Sequence, residues 1–144
     1  MKNNFKKAYL AGALTHSGES DRNLYEELAS ICRSLGIETY VPHLWGTDPL
    51  ANPEILPEEI WEITNRQVNS LDFLIAYVGK PSLGTGAELE IARIANLPII
   101  LWWFKGEKVS RMALGNPAVI SRLEISDISE FREKLYNIIN SKTG

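Results

Sequence analysis

The sequence predicts a three-layer α/β sandwich, a five-stranded parallel sheet with helices on both faces. Two stretches lead to it. Asp72–Val78 and Pro98–Phe104 are nearly unbroken apolar runs, the mark of parallel strands covered on both faces. Segments with helical apolar spacing alternate with these and with shorter strand-like runs. A third observation adds a functional direction. Pro81-Ser82-Leu83-Gly84-Thr85-Gly86-Ala87-Glu88 places small residues between the Asp72 strand and a helix marked by Ala87, Ile91, Ile94 and Ala95. Open α/β sheets bind ligands at such strand-to-helix turns, where glycines admit close approach and first-turn N–H groups attract anions.

The remaining elements follow in chain order. Ala8–Gly12 reads as a first strand and residues 13–19 as the loop after it. Ser20 is the expected N-cap of a helix whose stripe is Leu24, Leu28, Ile31 and Leu35, stopped by Gly36. Ile37–Val41 alternates as a second strand ended by Pro42. Leu44–Pro57 is irregular and proline-rich, so a lid or pocket wall is expected, with Trp45 either closing over a ligand or covering core. Pro57, Glu58 and Glu59 open a helix whose amide-rich end, Thr64–Ser70, reads as solvated. Val109–Leu114 is a short helix, and Val119–Ile125, with polar Ser121, Arg122 and Glu124, an edge strand. Asp127 and Glu130 cap a last helix, and the terminal Ser141–Gly144 is expected to fray.

At 144 residues, residues 1–144 are expected to form a single domain. A net charge of −3 speaks against nucleic-acid or membrane-surface partners, and no apolar run has the length of a membrane span. The basic Met1–Lys7 start precedes an apolar segment too short for a secretory signal, so a cytoplasmic location is expected. The single cysteine, Cys32, sits in a helical stripe and reads as a buried structural thiol. No Cys/His cluster has metal spacing, and neither metal nor cofactor is expected.

Glu88 is the candidate for chemistry. It precedes Ile91, Ala92 and Ala95 by three, four and seven positions, which puts it near the apolar face of its helix. An inward carboxylate at the mouth of a sheet serves as nucleophile or general base. The competing reading is a capping box, Thr85-x-x-Glu88. Glu90 pairs instead with Arg93 on the wet side.

These residues resemble the nucleoside 2-deoxyribosyltransferase superfamily, and within it the 2'-deoxynucleoside 5'-phosphate N-hydrolases. The likeness runs from Tyr9-Leu10-Ala11-Gly12 to the last helix. Its most specific part is Pro81-Ser82-Leu83-Gly84-x-Gly86-x-Glu88-Leu89 behind Asp72 and its strand. Weaker matches are Asp21-Arg22-x-Leu24-Tyr25, His43, and Val109-Ser110-x-Met112. The resemblance implies a Rossmann- or flavodoxin-like sheet and cleavage or exchange at the N-glycosidic bond of a small nucleoside or nucleotide. It implies that Glu88 attacks C1' of the sugar and forms a glycosyl-enzyme, with Tyr9 orienting the carboxylate. Donor N–H groups at the helix start are expected to keep Glu88 ionised. Substrate contacts are implied at Gly12, Leu14, His43, Thr64, Asn65 and Gly86. Ser82, Gly84 and Ser110 match positions that hold a 5'-phosphate, Ser110 reaching across a homodimer. The plain alternatives are a turn residue at Ser82 and a helix start at Ser110.

Two departures stand out. The family's usual acidic residue, eight positions before Asp72, is replaced by Thr64, with Asn65 beside it; neither supplies a proton as a carboxylic acid does. His43 or His16 is then a substitute acid, or the chain is a slow or inactive relative, a binding module. The Ser and Arg of the phosphate-specific branch are Ala13 and Thr15 here, which weakens phosphate binding. Asp72, at a strand start, is expected to be structural.

Overall fold

A computed structural model describes residues 4–13, 19–44 and 48–141. Five parallel strands form one sheet in the order β2-β1-β3-β4-β5. They are β1 (Lys7–Ala11), β2 (Glu38–Tyr40), β3 (Phe73–Tyr77), β4 (Ile99–Phe104) and β5 (Val119–Ile125). The helices are α1 (Glu19–Ser34), α2 (Pro57–Asn69), α3 (Leu83–Ile94), the short α4 (Arg111–Leu114) and α5 (Ile128–Ile139). Contacts pair α1 with α5 and α2 with α3, giving one helical layer on each face of the sheet. The predicted architecture and strand count are therefore observed.

Each layer follows from the pattern of side chains. All of β3 and the first five residues of β4 are buried, so both faces of the sheet centre are covered. In β5 burial becomes partial and alternating, as its polar residues required of an edge. Asp72 is structural: its carboxylate accepts the Lys7 backbone N–H at 2.9 Å, tying the start of β1 to the lead-in of β3. Cys32 is fully buried, and desolvation pushes its thiol up to about 12, which makes it inert packing. Gly36, at φ +83°, supplies the left-handed residue after α1.

Two local expectations fail. Ser20 lies inside α1, which already begins at Glu19. Gly84 and Gly86 are not in a turn but within the first two turns of α3, because Ser82 caps that helix, its Oγ accepting the Thr85 N–H at 3.1 Å. Thr85 is therefore not an N-cap, and the Thr85/Glu88 capping box does not form. The expectations for Leu14, Thr15, His16, Trp45 and residues 142–144 fall outside the described residues.

The order 2-1-3-4-5 has one place where neighbouring strands send their chains to opposite sides, between β1 and β3. The backbone is tight there. A Cβ built on Gly12, just past β1, would lie 2.6 Å from the Tyr25 ring. The Tyr25 hydroxyl donates to the Ala13 carbonyl at 3.0 Å, so the ring cannot yield without losing that bond. Gly12→Ala is expected to lower unfolding free energy by about 1–3 kcal/mol, the usual cost of an overpacked core position. Urea denaturation with an unchanged m-value checks this.

Candidate active site

A cavity of about 850 Å³ opens at the β1/β3 boundary. Its floor comes from Tyr9 in the middle of β1, from Gly12 and Ala13 just past that strand, and from Ser82, Gly84 and Glu88 of the α3 start. Pro49, Asn52, Pro53 and Ile55 of the irregular segment form a wall, and Ile60, Trp61 and Thr64 of α2 complete it. The proline-rich stretch is thus a pocket wall, as its composition indicated.

Glu88, the sixth residue of α3, is 9% exposed and lines this cavity from the buried side of its helix. The Tyr9 hydroxyl hydrogen-bonds to its carboxylate and is itself joined to the Thr64 side chain. The Tyr9 ring stacks on Tyr40 with centroids 5.3 Å apart, which fixes the phenol beneath the acid. A buried phenol facing a carboxylate keeps its proton: Tyr9 is pushed well above the ordinary tyrosine range, first by burial and then by Glu88.

The expectation that helix N–H groups hold Glu88 ionised is not met. Glu88 sits past the first turn, where amides are already committed to helical bonds. Burial instead pushes its carboxyl up to about 7, and the Tyr9 hydrogen bond only partly opposes that. At neutral pH the group is therefore divided between a nucleophilic carboxylate and a carboxylic acid.

The other expected residues separate into two sets. Gly12, Thr64, Ser82 and Gly84 line the cavity with Tyr9 and Glu88. Asn65 is exposed and turned away, its main-chain carbonyl accepting from Asn69 at 2.7 Å; this is the solvated helix end that the amides indicated. Gly86 is exposed and faces open space, with nothing within 4 Å of an added Cβ. His43 is buried behind the cavity residue Pro42, and its Nε2 lies 3.1 Å from Glu26 Oε2. Ser110 is exposed at the start of α4, where its Oγ accepts the Ala113 N–H at 3.5 Å, outside this chain's own cavity. Glu90 pairs with Arg93 at 2.6 Å on the exposed side, as expected.

One part of the site had only a weak trace in the sequence. The first two turns of α1 tie down the loops around the cavity. Asp21 meets Lys80 at 2.7 Å, and Tyr25 and Glu26 hold Ala13 and His43. Arg22 grips Asp48 through two bonds, Nε–Oδ2 at 2.9 Å and Nη2–Oδ1 at 2.7 Å. The signal was the Asp21-Arg22-x-Leu24-Tyr25 match, whose partners cannot be read from spacing.

Burying Glu88 has a cost that depends on pH. Its folded pKa lies above its unfolded value, so the folded protein binds the extra proton between about 4.5 and 7. The associated stability is complete below 4.5 and lost as pH rises through 7. Glu88→Gln, which cannot ionise, should gain on the wild type by on the order of 3 kcal/mol between pH 4 and pH 8. Denaturation curves of both proteins at the two pH values measure that difference.

No family model matches the chain. A protein of Syntrophotalea carbinolica named "Putative 2'-deoxynucleoside 5'-phosphate N-hydrolase 1" is 25% identical over 118 residues, covering 80% of this chain and 82% of that protein. Among solved structures, the CMP N-glycosidase BcmB of Clostridium botulinum aligns with TM-score 0.66 and 22% identity over 90% of this chain and 97% of its own. The 2-deoxyribosyltransferase of Bacillus psychrosaccharolyticus aligns with TM-score 0.69 and 18% identity over 95% and 93%. These structures share the fold. In sequence and in fold, the chain resembles the nucleoside 2-deoxyribosyltransferase superfamily.

Proposed function

We propose that the protein cleaves the N-glycosidic bond of deoxynucleosides or their 5'-monophosphates, with Glu88 as nucleophile. The observation that carries this is the buried Glu88 carboxylate, bonded by Tyr9 and facing an 850 Å³ cavity at the sheet's switch point. The relative named as a nucleotide N-hydrolase and the fold shared with a CMP N-glycosidase and a deoxyribosyltransferase support the same chemistry.

In this reading an oxygen of ionised Glu88 bonds to C1' as the C1'–N bond breaks, and the base leaves with the electron pair and takes a proton from water. A second water, giving a proton to the hydroxide left by the first step, or an incoming base then bonds to C1' as the ester C1'–O bond breaks, returning the carboxylate. The Tyr9 hydroxyl holds one carboxylate oxygen so that the other meets the sugar, and the surrounding walls keep bulk water from the oxocarbenium-like centre. The N–H groups at the start of α3, with Ser82 and Gly84, face the sugar's 5' side and suit a hydroxyl or phosphate there. Ser110, exposed at the N-cap of α4, completes the phosphate end of a second copy's site in a homodimer. The enzyme acts in the cytoplasm as a single domain.

A second reading is a nucleoside- or nucleotide-binding module with little turnover. Thr64 favours it, because its side chain is engaged with Tyr9 and supplies no acid to the leaving base. Incubation with the common deoxynucleosides and monophosphates, followed by chromatography of free base, separates the two. Base release supports the enzyme; ligand-induced thermal stabilisation without release supports the module.

Glu88→Gln is expected to lower base release by roughly 10³-fold or more while ligand still raises Tm. For the wild type, kcat should rise with pH through about 7, since only ionised Glu88 attacks. Tyr9→Phe removes the hydrogen bond that lowers the Glu88 pKa, so the midpoint of that profile should move to higher pH. An unmoved midpoint would show that the phenol does not act on the carboxylate.

A further inference from the structure

We propose that Asn52 reads the base of the bound nucleoside. The inference rests on the N-glycosidase reading above and assigns the recognition of the leaving base.

The cavity is divided by the character of its walls. Tyr9 and Glu88 on its floor and Thr64 on the adjoining wall form one hydrogen-bonded group, and Ser82 and Thr85 belong to the start of α3. With C1' at Glu88, these groups surround the sugar. The wall made by residues 48–57 and the first turns of α2 is different, with Pro49, Pro53, Ile55 and Trp61 presenting apolar surface. Flat, apolar faces of this kind accept a heterocyclic base, which is poorly hydrated over its rings and polar at its edge. Asn52 is the polar side chain within that apolar wall among the described residues. Its carboxamide carries a donor and an acceptor side by side, the pair that matches adjacent hydrogen-bonding groups on a base edge.

The backbone beneath it is built to hold position. The Asn52 N–H donates to the Asp48 carbonyl at 2.8 Å, and the Leu50 N–H donates to Asp48 Oδ1 at 2.9 Å. Asp48 is 6% exposed and gripped by the two-point Arg22 contact, which also holds its carboxyl below the usual range. Arg22 and Asp48 are thus positioning residues. They spend a buried ion pair on a short turn whose cavity-facing residues are Pro49, Asn52 and Pro53. Among the described residues Asn52 is hydrogen-bonded through its main chain, its N–H to Asp48 and its carbonyl from Ile55, which leaves the carboxamide to the ligand.

The test measures kcat/KM for deoxyadenosine, deoxyguanosine, deoxycytidine and thymidine with the wild type, Asn52→Ala and Asn52→Asp. Asn52→Ala should lower the best substrate by about tenfold and the worst hardly at all, so that the ranking flattens. Asn52→Asp, which only accepts, should shift preference towards bases that present an amino group. Equal loss on all four bases, or an unchanged ranking in both variants, overturns the assignment. Asn52→Ser serves if the alanine variant lowers Tm. If the wild type releases no base at all, the enzymatic reading fails separately. The order in which the four nucleosides stabilise Glu88→Gln, with and without Asn52→Ala, then decides the role of Asn52 by the same flattening.

Discussion

The contact between Tyr9 and Glu88 is the constraint on which the site depends. One partner lies in the middle of β1 and the other faces inward from α3, so the pair forms only if β1 and β3 are neighbours while their chains depart to opposite sides. The β1/β3 register, Tyr9 beside Leu74 and Ala11 beside Ala76, brings the ends of both strands level. The interaction is therefore a product of topology before it is a product of side chains. A parallel sheet buried on both faces supplies the rigidity, and its one switch point supplies the opening.

Around that opening the chain must hold three loops in place, and α1 does most of this. Its inner face puts Asp21, Arg22, Tyr25 and Glu26 opposite Lys80, Asp48, Ala13 and His43. The exposed pairs among these contribute little singly. The Arg22–Asp48 pair differs because both side chains are nearly buried and both Asp48 oxygens are used, so removing one partner would strand a charge. Gly12 belongs to the same device, since the Tyr25 ring occupies the space its side chain would need. The cost of so many fixed polar contacts near one end of the sheet is what a preorganised cavity requires.

Much of the fold could be read from the chain because the strands are fully covered and the helices are striped. Asp72–Val78 and Pro98–Phe104 left no other interpretation, and the polar alternation of Val119–Ile125 placed it at the edge. Capping was harder. Ser82 and Thr85 are both plausible caps by composition, and only the extended backbone at Ser82 decides between them. The ionisation of Glu88 was misjudged for a related reason. Its distance from the helix start follows from which residue caps, and with Ser82 as cap it lies too deep for free amides. Asn65 and Thr64 adjoin in sequence but diverge in space by the helical turn, so a motif that named both could place only one in the cavity. Asn52 carried no periodicity or motif; its place depends on the Arg22–Asp48 contact, 26 residues apart in sequence.

A carboxyl group held near neutrality also bears on the missing acid at Thr64. A family-type acid beside the leaving base would lie on α2, across the Tyr9 phenol from Glu88, and two carboxyl groups sharing so dry a space would raise one another's pKa. Threonine at this position removes that repulsion and adds a hydroxyl to the Tyr9 group instead. In the proposed reaction the substitution thus favours ionisation of Glu88 while withdrawing help from the leaving base. The exchange suits a substrate whose base departs readily and takes its proton from solvent more than one that needs strong acid assistance. In the proposed reaction the weight of the chemistry then falls on the first bond formed, between Glu88 and C1', and on how firmly the walls of the cavity fix the sugar against that oxygen.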